Sequence, residues 1–446
     1  MSEPRPDNAA TAGESRNDPV QALLKVQPGE RAALAFSFAY FFFVLASYYV
    51  LRPIRDAMGV AGGVDDLPWL FLGTLTATVL LSPVFSALVA RMPRRRFVAW
   101  SYRVLMLCLV GFYVALETLP DSQHVWVGRA FFVWVSVFNL FAVSLFWAVM
   151  ADVFTTAQAK RLFGLIGAGG TLGGLAGGLV TASLAERIGA EPLLLVSVVL
   201  LELAFACMVG ASSRAARDRP EQAAIEREVI GGDTLAGFRS ALRSPYLLGI
   251  CVFMLLFTVG STFLYFLQGG IAAEAFPERG ARTAFFARVD VWVNGLTLLI
   301  QLGFTGRIMR RLGVGATLAL LPAISVIGYL GLAAAPVVTA VVVFQVVRRT
   351  ADFALSRPAR EVLYVPLGRE DKYKAKNLID TFVYRAGDQI GAWTHAGLLA
   401  LGLGVTGISL VAAPLSMAWF VLALWLGRRH ATMRDTPPQS RKDGEP

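Results

Sequence analysis

Two short basic stretches decide how this chain is organised: Arg91-Met92-Pro93-Arg94-Arg95 and Arg307-Ile308-Met309-Arg310-Arg311. Each sits between two long apolar runs, and their arginines match at a constant separation of 216 (307 − 91, 310 − 94 and 311 − 95). Further along, Ala159-Lys160 matches Ala375-Lys376 at the same separation (376 − 160). One register held across two distant loops marks an internal duplication.

Working outward from those loops, apolar runs of membrane-spanning length cover 31–51, 67–90, 98–117, 125–150, 163–188 and 192–211 in the first copy. The second copy repeats them at 246–272, 284–305, 314–334, 336–355, 378–401 and 405–426. With 56% hydrophobic and only 16% charged residues, the chain cannot furnish the polar surface of a soluble domain. The reading is an all-α membrane protein of about twelve transmembrane helices in two six-helix halves. The expected organisation is a disordered cytoplasmic tail at 1–30, an N-terminal bundle at 31–211, a cytoplasmic linker at 212–245, a C-terminal bundle at 246–427 and a second tail at 428–446. Within the linker Leu235, Phe238 and Leu242 recur at helical spacing beside Arg239 and Arg243, as in a helix lying on a membrane surface. The first thirty residues are polar and carry no apolar signal core.

Basic residues set the orientation, because short Lys- and Arg-rich loops stay in the cytoplasm. Arg91 and Arg94–Arg96, Lys160 and Arg161, Arg307 and Arg310–Arg311, the cluster from Arg357 to Lys376, and Arg428–Arg429 all follow even-numbered spans. Both termini are therefore expected in the cytoplasm of a bacterial inner membrane. The net charge of +10 follows from this topology and requires no nucleic-acid partner. Cys108, Cys207 and Cys251 lie inside apolar runs, and neither a disulfide framework nor a metal or cofactor site is suggested.

Two parallel six-helix repeats with an arginine-rich loop between the second and third helix of each resemble the major facilitator superfamily. The acidic position that usually precedes the first arginine is Ala90 in one copy and Gly306 in the other. A closer resemblance rests on Tyr48-Tyr49-Val50-Leu51-Arg52-Pro53-Ile54-Arg55-Asp56, on Leu145-Phe146-Trp147 with Ala159-Lys160-Arg161-Leu162-Phe163-Gly164, and on Pro358 through Lys374-Ala375-Lys376 to Ile379-Asp380 with Arg385 and Gly387. These stretches are similar to the ATP/ADP translocases of plastids and intracellular bacteria, a distant branch of that superfamily. The resemblance implies a transporter of an anionic solute such as a nucleotide, and carries roles over to Arg55, Lys376, Asp380 and Arg385. The sequence also departs from that family: an apolar residue near Val135 stands where the exchangers carry a carboxylate, and Asp388 stands in place of a lysine.

Ionisable residues inside spanning segments are costly and face a cavity or a partner. Arg52 and Arg55 share one face of helix one, with Asp56 beside them; they either snorkel to the interface or contact substrate. Thr381, Arg385, Asp388 and His395 trace a polar stripe along helix eleven. Arg385 and Asp388 either satisfy each other, or Arg385 grips an anion while Asp388 or His395 takes a coupling proton. Asn139 on helix four, Tyr265 on helix seven and Asn294 on helix eight complete the expected substrate set of Arg52, Arg55, Asn139, Tyr265, Asn294, Asp380 and Arg385. Asp56, Lys376, Asp388 and His395 are the expected coupling and gating residues. Arg288 and Asp290 are read as outer-interface residues, and Arg348, Arg349 and Asp352 as cytoplasmic-end residues that snorkel or pair locally.

The glycines from Gly167 to Gly178 do not form a phosphate loop, because no Gly-Lys-Ser/Thr follows them. Gly170, Gly174 and Gly178 instead give small-xxx-small steps for close helix packing. No Ser/His/Asp or metal-ligand spacing stands out, so an enzyme is not expected. The first reading is a monomeric secondary transporter that moves an anionic solute, with nucleotide exchange foremost. Proton-coupled movement of another small organic anion and a non-transporting sensor or scaffold are the alternatives.

Overall fold

A computed structural model describes residues 26–91, 94–218, 244–364 and 379–435. The linker segment with Leu235, Phe238 and Leu242, and also Lys376, lie outside the described residues. Among the described residues, twelve helical rods make up the fold. In the first half these are α1 (Arg31–Gly59), α2 (Leu67–Arg91), α3 (Arg94–Thr118), α4 (Asp121–Val153), α5 (Thr156–Ile188) and α6 (Pro192–Asp218). The second half holds α7 (Pro245–Ala275), α8 (Arg279–Gly303) and α9 (Thr305–Ala334). It is completed by α10, which starts as Val338–Ala351, passes through a π-helical turn at Asp352–Ser356 and ends as Arg357–Leu363, and by α11, a π-helical turn at Ile379–Val383 running on into Tyr384–Ala400, and then by α12 (Val405–Asp435).

Local chemistry explains the ends. Thr155 caps α5 in a capping box with Gln158, and Ser244 caps α7 with Pro245 in its first turn. The sharp turn between α1 and α2 passes through Gly63 at φ 107°, a conformation a side chain would oppose. Inside α9, Gly313 at φ 75° breaks the rod, so the turn bearing Arg307, Arg310 and Arg311 is helical but set off from the spanning part.

Ten of the rods are long and apolar enough to cross a membrane. The remaining two, α10 and α11, are those that contain π-helical turns; α10 carries the buried Arg348 and Asp352, and α11 the half-buried Arg385 and Asp388. Such turns leave backbone groups out of the regular ladder and recur at functional sites. Several expected ends shift as well, two of them at the central cavity. The first span was expected to stop at Leu51 but α1 continues to Gly59, and the tenth was expected to stop at Leu355 but α10 continues to Leu363.

α1 packs into a groove on α5 that only glycine permits. A Cβ on Gly173 would lie 2.1 Å from the Phe42 carbonyl oxygen, one on Gly177 2.3 Å from that of Ala46, and one on Gly169 2.7 Å from that of Phe38. The backbone-to-backbone stripe is thus Gly169, Gly173 and Gly177. Gly170 and Gly174 face the rings of Phe41 and Tyr49, and Gly178 faces Val291 of α8. Without a hydrophobic drive between helices in lipid, this close approach supplies the dispersion contact that holds them.

One apolar cluster built around Tyr40, Phe131, Phe138 and Phe146 fills the first half, and others around Phe253 and Trp419 and around Phe263 and Tyr329 fill the second. A further cluster joins the two halves: Ala57, Val60, Leu67, Leu70 and Phe132 meet Phe266, Phe285, Phe286, Val289, Val293, Val346 and Ala392. It lies where α1 and α7 finish and where α2 and α8 begin, and it closes that end of the molecule.

Candidate functional site

Beneath that closure the helices part around a cavity of about 410 Å³, within the range of small-molecule sites. Residues of α1, α2, α4, α7, α10 and α11 line it. Six are arginines: Arg52, Arg55, Arg348, Arg349, Arg357 and Arg385. Asp352 and Asp388 are the acidic residues of the lining, and the rings of Phe71, Phe132, Phe257, Tyr265, Phe353 and Tyr384 form much of the rest.

The arginines fall into two groups by their partners. Nearest the closure, Arg55 donates to Asp56 Oδ1 from Nη2 at 2.6 Å and from Nε at 2.9 Å, and its guanidinium lies 5.0 Å from the centre of the Phe132 ring. Tyr265 of α7 donates its hydroxyl proton to the same oxygen at 3.0 Å. Arg52 reaches the other way, to Asp290 Oδ1 on α8 at 3.2 Å, and Arg349 of α10 donates to that oxygen at 2.6 Å. Asp56 and Asp290 therefore each tie the first half to the second. Asp290 is 2% exposed and its Oδ2 has no hydrogen-bond partner. It belongs to the interior, not to the outer interface where sequence reading put it.

Farther from the closure the pairing loosens. Arg357 and Arg360 share Asp352, at 3.1 and 3.4 Å, and the Arg357 side chain is 56% exposed, so the cavity reaches solvent on this side. Arg385 and Asp388 stand 3.8 Å apart, an ion pair without a close hydrogen bond. Arg348 is 3% exposed and is held by neutral groups, Ser325, Ser261 and the Phe257 carbonyl. Counting the lining together with the two carboxylates bonded to it, six guanidiniums face four carboxylates, Asp56, Asp290, Asp352 and Asp388. A net positive, partly desolvated chamber concentrates anions.

The residues singled out in the sequence divide as follows. Arg52, Arg55, Asn139, Tyr265, Arg385 and Asp388 line the cavity, and Asp56 sits directly behind it. Asn294 does not line it: its side-chain amide donates to the Asp290 carbonyl oxygen at 2.9 Å, one helical turn back on α8. His395 is also outside, packed edge-on 5.0 Å from the Phe266 ring and 5.8 Å from that of Phe263. Asp380 belongs to the π-helical turn that opens α11, with its side chain outside the described residues, as is Lys376.

Arg348, Arg349 and Arg357 are the cavity residues that sequence reading assigned elsewhere. A signal existed. Arg348 follows Val338 by ten residues, which at 1.5 Å per residue is about 15 Å of helix, far too deep for an end-of-helix snorkel.

At the closed end further contacts join the halves. Arg279 at the start of α8 donates to Glu191 at 2.5 Å, Arg288 to Glu186 at 2.6 Å, and Trp69 meets Trp393 edge-to-face at 5.0 Å. A Cβ on Gly280 would lie 2.7 Å from the Ala185 carbonyl oxygen, so α8 and α5 touch through backbone there. Glu202, unexplained in the sequence, pairs with Arg103 across α3 and α6, away from the cavity.

Two six-helix halves around a central polar cavity, in a multi-pass membrane protein, define a transporter fold, and the comparisons agree. The sequence model of the Major Facilitator Superfamily matches residues 31–347, and the chain belongs to that superfamily. Within it the chain is a distant relative of the ADP,ATP carrier proteins. ADP,ATP carrier protein 1 of Chlamydia muridarum (strain MoPn / Nigg) is 23% identical, the match covering 87% of this chain and 85% of that protein. ADP,ATP carrier protein 1 of Chlamydia pneumoniae is 21% identical, over 87% and 88%. Among solved structures, a bacterial homologue of the iron transporter ferroportin in an inward-facing state superposes with a TM-score of 0.62 at 10% identity, over 90% of this chain and 98% of that one. The nucleoside transporter NupG gives 0.55 at 13%, over 92% and 100%. These relatives and neighbours are carriers and transporters, not enzymes.

Proposed function

We propose that the protein is a secondary transporter of the bacterial inner membrane that moves a small anionic solute, a nucleotide foremost, through the arginine-lined cavity by alternating access. The observation that carries this reading is the convergence of six arginines from three helices, α1, α10 and α11, on one chamber with more guanidiniums than carboxylates around it. An anionic solute completes the charge balance in a site where unpaired charge is costly.

On this reading the closed end is the periplasmic gate and the solvent-exposed Arg357 side faces the cytoplasm, where the basic loops also put both termini. The molecule then stands open to the cytoplasm. Arg52, Arg55 and Arg349, paired with Asp56 and Asp290, act as the gate lock. Arg385, with its longer ion pair, is released for substrate when Asp388 lets go. The residues 31–211 rock against 246–427, and opening the outer gate requires Arg52 to leave Asp290 and Tyr265 to leave Asp56.

Asp388 supports a second reading, in which a proton rather than a second nucleotide drives the cycle. It lines the cavity, and a carboxyl that gains a proton leaves Arg385 uncompensated for an incoming anion. Uptake into proteoliposomes screened with nucleotides and small organic anions tests the proposal. Counterflow that persists with a protonophore supports exchange; uptake that collapses with it supports proton coupling. Folded protein that moves none of these solutes favours a sensor or scaffold.

A further inference from the structure

The six cavity arginines are not equivalent. Arg52 and Arg349 share Asp290, Arg55 has Asp56, Arg357 has Asp352 and Arg385 faces Asp388. Among the described residues, Arg348 has no carboxylate in ion-pair contact. Its guanidinium is nevertheless built into place on three sides. Nε donates to Ser325 Oγ at 3.1 Å, while Nη2 donates to Ser261 Oγ at 3.0 Å and to the Phe257 carbonyl oxygen at 3.3 Å. Its carbon centre lies 5.6 Å from the middle of the Phe257 ring. Tyr329, packed behind it, spends its hydroxyl on the Gly260 carbonyl oxygen rather than on the arginine.

These bonds use Nε and Nη2 and leave Nη1 outside them. A buried cation hydrogen-bonded only by neutral acceptors is a costly arrangement; Asp352, one turn further along α10, acts on it through space but is bonded to Arg357 and Arg360 instead. Two hydroxyls, a carbonyl and a ring face fix the plane of the group while leaving its charge without a counter-ion in direct contact. An anion receptor needs both properties: a preformed donor that loses little entropy on binding, and a charge whose partner is the ligand.

We infer that Arg348 is the fixed anion anchor of the cavity, presenting Nη1 to a phosphate or carboxylate of the transported solute, while Arg385 is the exchangeable second cation. The inference rests on the proposed reading of the cavity as an anion site and names the residue that holds the anion. Ser261 and Ser325 are positioning residues that act through Arg348. The anchor stays charged and oriented in the empty transporter, whereas Arg385 alternates between Asp388 and the ligand.

The test measures binding of ADP and, separately, of inorganic phosphate and citrate to the purified full-length protein by titration calorimetry. Arg348→Gln, Arg348→Lys, Ser325→Ala and Arg52→Gln are compared with the wild type. A lost charge-assisted contact is expected to weaken the bound probe by about tenfold to a hundredfold in Arg348→Gln. Arg348→Lys should recover part of this through its charge. Ser325→Ala, which keeps the charge but frees the guanidinium plane, should weaken binding by several-fold. Arg52→Gln, which removes a cation already paired with Asp290, should change it less than Arg348→Gln does. Wild-type affinity in Arg348→Gln overturns the anchor while leaving the cavity reading intact. If no anion probe binds the wild type, both fall together. Should Arg348→Gln fail to fold, Ser325→Ala decides, and unchanged affinity in that variant overturns the assignment.

Discussion

Arg52 and Asp290 lie 238 positions apart in the chain and in different halves of the molecule, yet Arg52 Nη1 donates to Asp290 Oδ1 at 3.2 Å, and Arg349 shares that oxygen. An ion pair of this kind adds little net stability, because both charges must be stripped of solvent. Its value here is conformational. In the proposed cycle it forms only when the two halves meet at this end, which makes it a latch rather than a glue.

Asp290→Asn is expected to release that latch. Removing one partner of a buried pair is a large perturbation, about 3–5 kcal/mol where no rearrangement follows, and here the relief is for the halves to part. With Cys108, Cys207 and Cys251 replaced by serine and Asn139→Cys placed in the cavity, a membrane-impermeant maleimide should label right-side-out vesicles faster in Asp290→Asn than in its parent. Equal rates would mean that the pair does not hold the outer gate.

Helix packing makes a prediction about stability. Gly173→Ala puts a methyl group 2.1 Å from the Phe42 carbonyl oxygen, so α1 must move away from α5. Overpacking of this kind costs about 1–3 kcal/mol. Gly167→Ala on the same helix meets nothing within 4 Å and should be neutral or slightly stabilising through helix propensity. Thermal unfolding of the two variants in detergent checks this; equal midpoints would refute the close-packed stripe.

Glu30, just ahead of α1, accepts from Arg161 at 2.7 and 3.2 Å and from Gln158 at 2.9 Å. Burial pushes its carboxyl upward, but the bonds from Arg161, from the Gln27 backbone and from Gln158 outweigh that and hold it below its ordinary value of 4.5. A depressed folded value contributes stability that is present above the unfolded value and lost as pH falls through the folded one. The wild type should therefore unfold at a higher temperature than Glu30→Gln at pH 7, and the gap should close as pH drops below 4.5. A gap that is constant with pH would show that the carboxylate charge plays no part.

Arg385→Ala should abolish uptake without loss of expression, since the remaining Asp388 then adds an unpaired negative charge to the chamber. The double variant Arg385→Ala with Asp388→Ala, which restores the charge balance, should recover protein stability but not transport. Retained uptake in Arg385→Ala would remove that residue from the site.

The sequence made the architecture readable because a membrane leaves few options: apolar runs of about twenty residues become helices, and the repeated arginine loops show the duplication. Charges that interrupt such a run near its end, as Arg52, Arg55 and Arg385 do, were legible for the same reason. Arg349 and Arg357 were not, and the depth of Arg348 was overlooked, because hydropathy ends the tenth span at Leu355 while the helix continues through its π-helical turn to Leu363. That misplaced end moved three cavity arginines to the cytoplasmic surface on paper. Asp290 was misassigned because its two partners, Arg52 and Arg349, come from helices whose neighbours in space are not their neighbours in sequence. Asn294 shows the converse: a polar residue deep in a helix can be satisfied by the carbonyl one turn back and need no cavity at all.

Whether this arginine-lined chamber carries an anion through the membrane is decided by counterflow in proteoliposomes. Vesicles loaded with unlabelled ADP are presented with labelled ATP, and parallel sets use citrate and inorganic phosphate on both sides. A transporter of this kind should give saturable entry of at least one labelled anion, dependent on the same anion inside and reduced at least about tenfold by Arg348→Gln. Folded, reconstituted protein that yields no labelled entry with nucleotide, citrate or phosphate would contradict that role.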